Sequence, residues 1–178
     1  MLFKRDMETN EETGMEKHIP KVDILRLKTY LAMISDSVGT KMFRHLYASI
    51  DGEEKDITDN GLISCAYYVS SILGMPNFAL VKQTRATVKG LTQQLERDDW
   101  VKIEKPDIPG QILIWEGMRQ ADGAYHMHSG FYIGGDQAIS HIDKDQTPGQ
   151  HHFTFGTNPD GTPVRKIISA YTHPFLSP

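Results

Sequence analysis

Ile24, Leu27, Leu31, Ile34 and Val38 recur at spacings of three and four, a stripe that predicts an amphipathic helix opening near Pro20 and ended by Gly39. Met42, Phe43, Leu46 and Tyr47 predict a second short helical stretch, and the charged segment Glu53-Glu54-Lys55-Asp56 after it reads as a solvated loop. Asp59-Asn60-Gly61 breaks the chain. The apolar run from Leu62 to Leu73, closed by Gly74 and Pro76, then predicts a buried helix of about ten residues with Cys65 in its first turn. Val88, Leu91 and Leu95 place another helix over Thr87 to Arg97. From Trp100 onward the pattern shifts to strands. These are expected at Gln111 to Trp115, His126 to Ile133, Gln137 to Ile142, His151 to Phe155 and Val164 to Tyr171. Residues 1–19 are polar and aperiodic and read as a flexible tail, leaving 20–178 as a single domain. Helices come first and strands second, which predicts an α+β domain with an antiparallel sheet.

Composition narrows the functional classes. Hydrophobic residues make up 39% of the 178 positions, enough for a real core, and no apolar run approaches the roughly 18 residues of a membrane span. Nineteen Lys and Arg against 23 Asp and Glu give a net charge of −4, so no basic surface is offered to nucleic acid. No apolar stretch near the N-terminus resembles a signal peptide, and a cytoplasmic protein is the expectation. One cysteine excludes a disulfide framework and multi-cysteine metal sites, and beside it stand eight histidines.

That pairing directs attention to thiol chemistry. Unsatisfied backbone N–H groups and the helix macrodipole favour a thiolate at a helix N-terminus, where Cys65 is expected. The alternative is that Cys65 packs as a small buried hydrophobe. A base is offered by the strand Tyr125-His126-Met127-His128-Ser129-Gly130-Phe131-Tyr132-Ile133, on which His126, His128 and Gly130 share one face. The tight turn Gly134-Gly135-Asp136 predicts a hairpin with the next strand, which brings Ser140 and His141 roughly opposite His128. A polar group there would fix the imidazole tautomer.

Cys65 at a helix start, the Pro109-Gly110 turn running into Gln111-Ile112-Leu113-Ile114-Trp115, the segment His128-Ser129-Gly130-Phe131-Tyr132-Ile133-Gly134 and the strand ending Ser140-His141 resemble the NlpC-type papain-like cysteine peptidases of bacterial cell walls. The resemblance covers about residues 57 to 145. It implies a papain-like fold in which the nucleophile helix packs on a C-terminal antiparallel sheet. It implies Cys65 as nucleophile, His128 as base and His141 as the residue that orients His128, with Ser140 its competitor. It also implies amide cleavage in peptides or peptidoglycan fragments, with neither cofactor nor metal. Tyr47 is the tyrosine the resemblance would carry towards the oxyanion site. The chain departs from the family where Ser64-Cys65-Ala66-Tyr67 replaces the usual Asp-Cys-Ser-Gly, and where Gln111 follows Pro109-Gly110.

Two other readings compete. His126-x-His128 with His151-His152 could ligate zinc, and the missing acid before Cys65 suits a binding module that keeps the scaffold without catalysis. Trp100, Trp115, Tyr67 and Tyr68 read as core or cleft lining, and Lys82, Arg85 and Lys89 as a solvated face or as holders of an anion.

Overall fold

The first helix is shorter than its stripe. In the computed structural model, which describes residues 20–119, 123–142 and 144–177, α1 spans Arg26–Asp36 and buries Tyr30 and Ile34. Ile24 and Val38, at the ends of the stripe, lie beyond the helix and are exposed. The stretch 1–19, read above as a tail, lies outside the described residues.

Residues 42–46 form a turn and an irregular stretch instead of a helix, and Tyr47 opens a hairpin. Asp51 and Gly52 both have positive φ, 54° and 87°, the geometry of a type I′ turn that an Asp-Gly pair favours. It joins β1 (Tyr47–Ile50) to β2 (Glu53–Asp56), so the charged segment expected to be a loop is a strand. Asp56 anchors the hairpin. Its Oδ1 accepts from Leu46 N, Thr58 N and Thr58 Oγ1, and its Oδ2 meets His45 Nδ1 at 2.7 Å and accepts from Asn60 N.

The next two helices follow the sequence closely. α2 runs Cys65–Leu73, with Cys65 as its first residue, and α3 runs Val88–Arg97 behind a Thr87 cap whose side chain accepts from Gly90 N at 3.1 Å. Six antiparallel strands follow: β3 (Val101–Ile103), β4 (Ile112–Arg119), β5 (Tyr125–Gly134), β6 (Gln137–Ile142), β7 (Thr147–His152) and β8 (Ile167–Thr172). Their order across the sheet is β3-β8-β4-β5-β6-β7. β7 starts earlier than expected and contains Pro148, which the ladder tolerates because β7 is an edge strand.

Strict alternation divides the sheet into two packed faces. Ile112, Ile114, Phe131, Ile139 and Tyr171 join the three helices in the larger core. Leu113, Trp115, Tyr132, Ala138 and Ala170 form a second layer with Phe153, Phe155, Ile103 and Ile167. The segment after β7 wraps over this second face, and Trp115 Nε1 donates to Phe153 O at 2.7 Å. Helices on one face of an antiparallel sheet make this an α+β fold. Among the described residues no helix is long and apolar enough to cross a membrane.

Candidate active site

β5 and the end of β6 create the site. Tyr132 donates its N–H to Gln111 O and accepts at its C=O from Gly110 N, so its backbone groups point to the β4 side. The two-residue period gives Gly130 and His128 the same direction and turns the Met127 carbonyl the opposite way, towards β6. The β5–β6 ladder, however, stops at Gly130↔Ser140. Beyond it, among the described residues, β6 does not pair with the first half of β5, and Cys65 approaches there: its Sγ lies 4.0 Å from Met127 O. The thiol thus rests against the carbonyl whose peptide continues into His128.

The same edge borders a cleft of about 270 Å³. Leu62, Ile63 and Cys65 supply one wall, the first turn of α3 with Thr87, Val88 and Lys89 another, and Tyr125 to His128 the third. Cys65 and His128 both contribute to the lining although their side chains arrive from different layers. Cys65 belongs to the α2 core, whereas His128 pairs with Trp115 on the second face and packs near the Trp115 and Phe155 rings.

His128 is held from behind. Its Nε2 lies 2.8 Å from Ser140 Oγ, and Ser140 Oγ lies 2.8 Å from His151 Nε2. His151 in turn is stacked on Phe155, with its Nδ1 2.8 Å from His152 O. Burial holds the His128 pKa well below 6.5, with Arg165, His151 and His141 adding to the effect, so the ring is a neutral base at neutral pH. Burial also lowers the pKa of His151.

His141 does not orient His128, and strand parity is the reason. Gly130 pairs with Ser140, which puts Ser140 on the His128 face and sends His141, one residue on, to the α2 face. There its ring lies 6.5 Å from the Tyr68 ring, 1% exposed, and neither of its nitrogens has a hydrogen-bond partner among the described residues. Burial and the nearby Arg44 lower its pKa to about 4. Ser140, the competitor in the sequence, occupies the position behind the imidazole. The sequence offers His151 only as a possible zinc ligand, and its place in this chain of contacts depends on the β6–β7 pairing Ala138↔His151, for which the local sequence carries no signal.

Other sequence candidates separate from the site. Tyr47 sits in the β1–β2 hairpin stacked on His45 and is not among the cleft residues. Arg85 is engaged with Gln94 and Gln83, and Lys82 with Asp98. Lys89 remains at the cleft, and none of the described lining residues is an acid. Among the described residues no three His, Cys, Asp or Glu side chains converge as a metal site, and His126, His128, His151 and His152 do not assemble into one. In comparisons of the sequence with known proteins, no family model matched the chain and no curated protein matched it.

Proposed function

We propose that this chain is a cysteine hydrolase of the NlpC-type papain-like kind, with Cys65 as nucleophile and His128 as base, cleaving an amide bond in a peptide of the murein-stem type. The observation that carries the reading is that one cleft is lined both by Cys65, which opens a helix, and by His128, whose neutral imidazole is braced by a hydroxyl. In this scheme His128 takes the Cys65 proton and the thiolate adds to the amide carbonyl carbon. First-turn N–H groups of α2 receive the developing oxyanion. The imidazolium then protonates the leaving amine, and water activated by the same imidazole resolves the thioester to a carboxylic acid and the thiol.

Because the chain has one cysteine, alkylation reports Cys65 alone. Iodoacetamide is expected to modify the native protein at pH 7 faster than it modifies glutathione, and His128→Ala should remove about a hundredfold from hydrolysis of murein peptides. A thiol no more reactive than glutathione, with no peptide hydrolysed, would overturn the proposal. Ser64, standing where the family has an acid, favours the second reading of a non-catalytic binding module. That reading requires murein fragments to bind the wild type without being cut.

A further inference from the structure

The hydrogen bonds behind His128 have a direction, and its origin lies two residues past the hydroxyl. A carbonyl oxygen can only accept, so the 2.8 Å contact between His151 Nδ1 and His152 O requires the proton on Nδ1. The carbonyl is itself fixed, because it also accepts from Phe155 N at 2.7 Å. Burial between Trp115 and Phe155 keeps His151 neutral, so its Nε2 carries a lone pair. Ser140 must then give its single hydroxyl proton to His151 Nε2, which leaves the hydroxyl oxygen to accept from His128 Nε2–H.

We infer that His151 is a positioning residue: through Ser140 it holds His128 as the Nε2–H tautomer and keeps the Nδ1 lone pair available as the base. His151 is not among the residues that line the cleft. It acts by ordering protons along a chain that ends on a backbone carbonyl, and Ser140, with one proton to give, transmits the order. The catalytic consequence rests on the function proposed above, whereas the hydrogen-bond order does not.

The test uses three variants of the full chain. In His151→Leu the Ser140 proton loses its acceptor and is released to bond His128 Nε2, which admits the Nδ1–H form. In His151→Gln the side-chain carbonyl can accept from Ser140 while the amide donates to His152 O, preserving the direction. Ser140→Ala breaks the chain from its other end and serves if the Leu variant does not fold. Two-bond 1H–15N spectra at pH 7.5 are expected to show His128 as Nε2–H in the wild type and the Gln variant, and with substantial Nδ1–H in the Leu and Ala variants. The rate constant for peptide hydrolysis should follow, falling about a hundredfold in Leu and Ala with KM little changed, and recovering in Gln. A wild-type His128 in the Nδ1–H form, or one whose tautomer is the same in all four proteins, would overturn the inference. Should the tautomers behave as stated while Cys65 is inert in the wild type, the hydrolase reading falls and the positioning role of His151 stands.

Discussion

Replacing His141 by Leu tests both the stability and the site assignment, because the sequence and the structure assign this residue opposite parts. The ring is buried against Gly61, Tyr68 and Arg44, and its two nitrogens lack hydrogen-bond partners among the described residues. An unsatisfied buried polar group costs about 1–3 kcal/mol, so an apolar side chain of similar size should stabilise the protein by about 1 kcal/mol at pH 7.5. The pH dependence is larger. With a pKa near 6.5 when unfolded and about 4 when folded, His141 binds a proton in the unfolded chain first. Its contribution is therefore intact above pH 6.5 and is lost as the pH falls towards 4, amounting to about 3 kcal/mol once complete. His128 and His151 also have lowered values and destabilise in the same direction, but they are present in both proteins and cancel in the difference. Urea unfolding at pH 7.5, 6.5, 5.5 and 4.5 should show the advantage of His141→Leu growing by about 2–3 kcal/mol across the series. Parallel stability curves would refute the account of the buried neutral ring. Hydrolysis at pH 7.5 should remain within a few-fold of wild type, whereas a fall of about a hundredfold would restore His141 to the catalytic unit.

Three further substitutions probe what surrounds the site. Gly130→Ala would place a Cβ 2.6 Å from Ile139 O and 2.7 Å from Ser140 Cβ, so it should cost about 2 kcal/mol or more, lower Tm by about 5 °C, and slow hydrolysis by displacing Ser140. Burial raises the Asp56 carboxyl, but bonds from Thr58, His45 and Asn60 outweigh it and hold the group well below the usual carboxylate range. Asp56→Asn should therefore lose about 2 kcal/mol at pH 7 by urea unfolding, and the loss should shrink below pH 4 as the carboxylate takes up its proton first in the unfolded chain. Lys89→Glu reverses the charge at the cleft and should slow alkylation of Cys65 by iodoacetate several-fold relative to iodoacetamide. Equal slowing by both reagents would mean that Lys89 acts on packing rather than on charge.

Legibility in the sequence tracked how local each determinant is. α2 could be placed to within three residues because an apolar run bounded by Asn60-Gly61 and Gly74 leaves few alternatives. The β5–β6 hairpin was equally clear, since its turn glycines take positive φ, 99° and 56°, as a tight reversal requires. The residue behind His128 was less clear, because the register shift between Tyr132 and Gly134 moves the pairing by one position, and one position exchanges Ser140 for His141. Met42, Phe43, Leu46 and Tyr47 satisfy helical spacing although residues 42–46 form no helix and Tyr47 begins a strand. The deciding information lay in Asp51-Gly52 and in the carboxylate of Asp56, which gathers the backbone on both sides of the hairpin. His151 was beyond local reading altogether, since only the β6–β7 pairing brings it to Ser140.

The place where the β5–β6 pairing stops decides whether Cys65 can reach this edge at all. Had the β5–β6 ladder continued along the first half of β5, the partner strand would have occupied the edge where Cys65 now sits beside the Met127 carbonyl. The α2 thiol would then face only the larger core, with the sheet between it and the His128 ring. Because the pairing stops at Ser140, Cys65 from the helix layer and His128, whose ring packs near Trp115 in the opposite layer, line the same cleft. In the proposed hydrolase the packing of both layers then fixes where the two residues stand at the cleft.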